Sequence, residues 1–257
     1  MAADDILSLP PPPADLRVRY GAEPEQFADV RFARERQTAP LAINIHGGYW
    51  RARYDLTHAG HFCAALAAGG VNTVNLEYRR VGSPGGGWPH TLEDVRNGYR
   101  YILQRAAGLG IPRSPVLVLG HSAGGQLALC LAVHEKSVGN CMSLAGVLDL
   151  RRAFELHLSN DAVVEYLGGA PDQVPEHYRE ASPMELPIPY ARQLIVHGDA
   201  DDVVPAAISR DYAAAKEKRG EHVEYLAIPK ANHFDVIDPR SEAFATVAEA
   251  VLRLALT

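Results

Sequence analysis

Residues 116–129 read VLVLGHSAGGQLAL. Four apolar residues run into Gly120-His121-Ser122-Ala123-Gly124, and a helical apolar pattern follows. This strand, tight turn and helix are the setting a nucleophile elbow requires. The reason is steric: a serine on so sharp a turn has a strained backbone, and residues larger than glycine two places either side would clash. The turn lifts the hydroxyl clear of a sheet and aims the first N–H groups of the helix at an oxyanion formed beside it. Ser122 is the candidate nucleophile.

Further apolar runs at 41–45, 71–78, 115–120, 139–147, 192–198 and 223–229 read as buried strands. Before them, DLRVRYG and FADVRFA alternate as two solvent-edged strands do. Helical patterns occupy 91–105, 124–134, 205–219 and 241–256. The first carries Leu92, Val95, Tyr99 and Ile102 on one face, with Thr91 and Asp94 as a capping box. The last carries Phe244, Val247, Ala248, Val251 and Ala255 as its buried stripe, and Gly220 stops the third. Strands alternating with helices imply an α/β fold, a mostly parallel sheet of about eight strands covered on both faces. The whole chain, 1–257, reads as a single domain with a proline-rich arm at 1–14. A polar, proline-punctuated stretch at about 150–187 reads as a cap insertion over the carboxyl edge of the sheet, where such folds bind ligands.

A serine hydroxyl needs a base, and the base needs an orienting acid; after this elbow the expected order is serine, acid, histidine. His233, in the loop PKANHFDV after the last strand, can reach the top of the sheet and is the candidate base. His197 ends a strand and suits packing, while His222 lies in a polar turn. HGDADDVVP offers Asp199, Asp201 and Asp202; distance from the strand end favours Asp201 as the acid, leaving the other two to cap the helix near Pro205.

HGGYW, GHSAGG, HGDADDVVP and NHF, in this order, resemble the α/β-hydrolase superfamily across nearly the whole chain. HGGYW together with LEYRRVG and GGGWP is similar to the kynurenine formamidase (arylformamidase) branch and the small carboxylesterases beside it. The resemblance implies an α/β-hydrolase fold and an oxyanion hole built from backbone N–H groups at Gly48, Tyr49 and Ala123. It also implies a substrate pocket near Trp50, His121 and Trp88. Lipase-like relatives usually have a third glycine where this chain has Tyr49. That tyrosine either narrows the acyl side, favouring formyl or acetyl groups, or turns into the core; Trp88 either lines the pocket or anchors its loop. His46 is placed to brace the oxyanion loop, and the charges of EYRR to form a structural ion-pair cluster.

The implied reaction is hydrolysis of small carboxylic esters or aryl-formamides, best matched by N-formylkynurenine going to kynurenine and formate. General short-acyl ester hydrolysis, a peptidase of this fold and a non-catalytic small-molecule receptor are the alternatives. For the amino-acid end of N-formylkynurenine, Arg151, Arg152 and Arg179 in the insertion are the candidate cations. No cofactor or metal is called for: His58 and His61 lack the third ligand of a zinc site, and the glycines at 82–87 lack a phosphate loop's lysine. A formal charge of −6 gives no reason to expect nucleic acid or an anionic membrane as partner, and a homodimer is left open. The N-terminus carries two acids where a secretory signal carries positive charge, and no run approaches ~18 apolar residues. Cys63, Cys130 and Cys141 sit in apolar surroundings as buried thiols, so the expected location is cytoplasmic.

Overall fold

The computed structural model describes residues 6–256; the first five residues of the proline-rich arm lie outside them. The chain runs through β1 (Leu16–Arg19), β2 (Phe27–Arg31), β3 (Leu41–Ile45), α1 (Gly60–Ala68), β4 (Asn72–Leu76), α2 (His90–Leu109), β5 (Val116–His121) and α3 (Ala123–His134). It continues with β6 (Asn140–Leu144), α4 (Leu150–Glu155), α5 (Ala162–Leu167), α6 (Pro175–Ala181), β7 (Arg192–Gly198), α7 (Ala206–Lys218), β8 (Val223–Ile228) and α8 (Ala243–Ala255). The eight strands form one sheet in the order β1-β2-β4-β3-β5-β6-β7-β8. β2 pairs antiparallel with both β1 and β4, and the five pairings from β4 through β8 are parallel, which is the α/β-hydrolase architecture.

The period-two pleat divides each central strand between two cores. In β5, Val116 and Val118 face α2, α3 and α7, while Leu117 and Leu119 face α1 and α8. β5 is therefore buried on both sides, and its carboxyl end is where the elbow emerges. β8 departs from the buried run expected of it: an edge strand has a neighbour on one side only, and three of its residues are half-buried and two are exposed. The capping box expected at Thr91 does not form. Pro89 caps α2 without a side-chain bond, the Thr91 hydroxyl donates to the Arg79 carbonyl (2.6 Å), and the Asp94 carboxylate takes Arg79 and Gln26 instead. These two side chains stitch α2 to the loop after β4, so a tertiary partner outcompetes the local cap.

The segment between β6 and β7 contributes α4, α5 and α6, which carry its apolar residues into the core on the α3 side. No helix among the described residues is long and apolar enough to cross a membrane.

Candidate active site

Ser122 sits between β5 and α3 at φ 55°, ψ −120°, a region costly for any side chain. The surrounding hydrogen bonds force it there. Its N–H donates to the Leu144 carbonyl of β6 (2.8 Å), and its carbonyl accepts from Gly125 (3.0 Å) and Val147 (3.3 Å). The flanking glycines are required by contact: a Cβ on Gly120 would lie 2.1 Å from the Gly124 carbonyl oxygen, and one on Gly124 would lie 2.0 Å from that of Ile45.

Asp201 follows β7 and His233 follows β8, so both loops rise at the edge where the elbow ends. His233 Nδ1 donates to Asp201 Oδ2 at 2.7 Å. Asp201 Oδ1 accepts from the backbone of Val203 and Val204, each at 2.8 Å. Oδ2 takes a second imidazole: His197 Nε2 donates to it at 3.0 Å and to the Val204 carbonyl at 2.9 Å, while Ser209 Oγ donates to His197 Nδ1 at 2.7 Å. Burial alone raises the Asp201 carboxyl; the donors on His197 and His233 outweigh it and hold the group well below the usual carboxylate range. His197, placed by its sequence setting in a packing role, instead fixes the acid from below. No local pattern distinguishes the two roles, because the partner lies in the following loop.

Ser122 and His233 line one cavity of about 440 Å³, with Gly48, Tyr49, His58 and His121 among its other walls. No hydrogen bond joins the Ser122 hydroxyl to His233; in substrate-free sites of this kind that contact is commonly long and tightens when substrate binds. The other two aspartates do not cap α7, which has no side-chain cap. Asp199 accepts from the Lys230 backbone (2.6 Å), and Asp202 lines the cavity.

Gly48, Tyr49 and Trp50 all have positive φ, at 112°, 50° and 58°. Among the described residues nothing accepts from the N–H of Gly48, Tyr49 or Ala123. Tyr49 lies on the cavity wall, its hydroxyl donating to the Val203 carbonyl (3.1 Å). Trp50 is not part of the pocket, contrary to expectation: it is 1% exposed, stacks on Tyr166 of α5 at 4.4 Å, and donates from Nε1 to Gln126 of α3 (2.9 Å). Its neighbour Arg51 makes a two-pronged pair with Glu165 of α5 (2.8 and 2.9 Å). Trp50 and Arg51 are thus anchors that tie the turn to α3 and α5. Trp88 likewise stays off the cavity, its ring edge-on to Tyr166 at 6.4 Å.

Beneath the turn, His46 is fully buried. Its Nε2 donates to Glu77 (2.9 Å), its Nδ1 to the Gly47 carbonyl (2.7 Å), and its ring stacks on Tyr78 at 4.4 Å. Glu77 also accepts from the backbones of Leu56 and Tyr78 and pairs with Arg80 (3.2 Å). Burial raises the Glu77 carboxyl, but His46 and these donors more than compensate and lower it. His121 is 2% exposed; its Nε2 donates to the His233 carbonyl at 2.8 Å, and burial next to His233 drives its ring strongly toward the neutral form. It fastens the base's loop to the elbow.

The residues first suggested for a substrate carboxylate are committed elsewhere. Arg151 pairs with Glu185, Arg152 with Glu155 and Arg179 with Glu176, and none lines the cavity. The arginine that does line it is Arg53, whose guanidinium lies 4.7 Å over the Tyr54 ring.

Fold and site together define the class: serine hydrolases of the α/β-hydrolase fold. The family follows from the sequence, since residues 29–215 match BD-FAE, and the chain belongs to that family. It is 27% identical over 216 residues to Esterase LipQ of Mycobacterium tuberculosis, covering 77% of this chain and 51% of that protein, so it spans about half the relative's length. Kynurenine formamidase of Drosophila melanogaster is 25% identical over 239 residues, covering 86% and 75%. A truncated carbohydrate esterase from gut microbiota superposes with a TM-score of 0.82 at 21% identity, covering 97% of this chain and all of that one.

Proposed function

We propose that this protein hydrolyses small carboxylic esters or aryl-formamides through an acyl-enzyme, with Ser122 as nucleophile, His233 as general base and Asp201 as the orienting acid. The observation that carries this reading is the shared cavity. A strained Ser122 and an Asp201-bound His233 line it together, beside three N–H groups left without acceptors.

His233 Nε2 takes the Ser122 proton as Oγ bonds to the substrate carbonyl carbon, and the carbonyl electron pair moves onto oxygen. The resulting oxyanion lies against the N–H groups of Gly48, Tyr49 and Ala123; one such donor contributes about 3–4 kcal/mol to the transition state. His233 then gives its proton to the departing alcohol or arylamine. Water, deprotonated by the same imidazole, splits the acyl-enzyme and frees the acid. Asp201 accepts the Nδ1–H throughout, which fixes the tautomer.

Two features favour a short acyl group and a charged leaving group. The Tyr49 ring, tethered at Val203, takes up room beside the carbonyl carbon, which suits formyl or acetyl. Arg53 and Asp202 place a cation and an anion on the same cavity without pairing to each other, and an amino-acid end such as that of N-formylkynurenine carries the complement of both. The relative named kynurenine formamidase supports the same reading.

A fluorophosphonate probe should label Ser122, and Ser122→Ala should abolish labelling. Turnover of N-formylkynurenine is then compared with that of p-nitrophenyl acetate, butyrate and octanoate. Equal rates on butyrate and octanoate would sink the narrow-pocket reading, and no turnover of N-formylkynurenine would leave a plain short-acyl esterase.

A further inference from the structure

The cavity has walls on both sides of the family-matched residues 29–215: His233 and Phe234 beyond β8, and one wall ahead of β1. Leu7, in the arm before β1, lines it beside residues of the elbow and the His233 loop, whereas the matched residues begin at 29. The arm is held at several points on either side of Leu7. Ile6, 1% exposed, is inserted into the core on the α1 and α8 side, among residues such as Phe62, Cys63 and Leu66. The Leu9 carbonyl accepts from His61 Nε2 at 3.2 Å, and the Pro12 carbonyl accepts from Arg31 Nη2 at 2.8 Å. Pro11 lies so close to Gly60 that a Cβ there would fall 2.6 Å from it. Four successive prolines, 10–13, fix φ and stiffen the strap between these points. Leu7 itself remains 37% exposed, an isobutyl group presented to the cavity by a backbone pinned before and after it.

We propose that Leu7 is a specificity-determining residue: the pinned arm forms a fixed apolar wall that sets how large a substrate the cavity takes. The proposal rests on the hydrolase reading above. Three things support it. The side chain faces the cavity without contributing to the core. Its backbone cannot swing aside without extracting Ile6. The arm is separate along the chain from both the elbow and the His233–Asp201 pair, so it can vary the pocket without touching either.

The test uses the full chain with Leu7→Ala and Leu7→Trp. Two substrate series are run: p-nitrophenyl acetate, butyrate and octanoate for the acyl side, and phenyl and 1-naphthyl acetate for the leaving group. Pocket contacts of one or a few methylenes discriminate by about 10–200-fold. Leu7→Ala should therefore raise kcat/KM for the larger member of one series by roughly tenfold relative to the smaller, and Leu7→Trp should lower that ratio. Fluorophosphonate labelling of Ser122 and the thermal midpoint should match the parent. An active parent whose selectivity is unchanged in both variants would overturn the Leu7 proposal alone. A parent that turns over no ester of either series would overturn the hydrolase reading and this proposal with it.

Discussion

His197→Phe keeps the volume of a ring while removing both of its nitrogens, and the structure sets what that should do. Asp201 loses one of four donors, leaving Val203, Val204 and His233. A hydrogen bond to a charged group contributes about 1.5–3 kcal/mol, and stranding the buried Ser209 hydroxyl costs about 1–3 kcal/mol more. Unfolding in urea should therefore show a loss of about 2.5–6 kcal/mol, and His197→Phe/Ser209→Ala should recover the serine's share. If the carboxylate's loss falls on the transition state, 1.5–3 kcal/mol is roughly a ten- to hundredfold drop in kcat/KM. The sign of the pH effect follows from the depressed carboxyl. Its stabilising contribution is full above the unfolded-state value near 3.9 and disappears as pH falls through the lower folded-state value. Taking away His197 moves the folded value upward, so the acid limb of stability should shift to higher pH. A variant with kcat/KM within twofold of the parent and an unmoved acid limb would refute the reasoning that His197 holds the acid in place.

Other perturbations separate the parts of the site. Gly124→Ala should fail to fold or lose all activity, because its Cβ would meet the unyielding backbone oxygens of Ile45 and His46 at 2.0 and 2.5 Å; soluble yield and esterase assay check it. Glu77→Gln breaks a buried ion cluster and should destabilise by about 3–5 kcal/mol in urea. Trp50→Phe keeps the stack on Tyr166 but strands the Gln126 oxygen, so it should cost about 1–3 kcal/mol in stability with little change in KM. Arg53→Gln should raise KM for carboxylate-bearing substrates about tenfold or more and leave p-nitrophenyl acetate unchanged, given the reach of one charge-assisted contact.

The strands were legible because a doubly covered parallel sheet needs uninterrupted apolar runs, and the elbow because its glycines are imposed by backbone contacts 2.0–2.1 Å away. Loop order along the chain pointed to Asp201 and His233, which the structure joins at 2.7 Å. What stayed hidden depended on partners far away in sequence. Nothing near Trp50 announces Tyr166, 116 positions on, so an anchor resembled a pocket wall. Thr91 and Asp94 have capping spacing, but Arg79 and Gln26 claim them. Arg53 gave no signal at all, since an arginine before a tyrosine is ordinary until a cavity forms beneath it. Leu7 was similarly silent within a proline-rich leader.

The three thiols of Cys63, Cys130 and Cys141 are wholly enclosed, and enclosure pushes each up to about 12. A maleimide therefore has nothing to alkylate while the protein keeps its shape, and its uptake measures how often the interior opens. Cys63 lies with α1 and α8, the other two on the α2 and α3 side, so peptide mapping of the adducts would time the loosening of each half of the sandwich separately. The chain carries its own pair of breathing gauges, one on either side of the sheet.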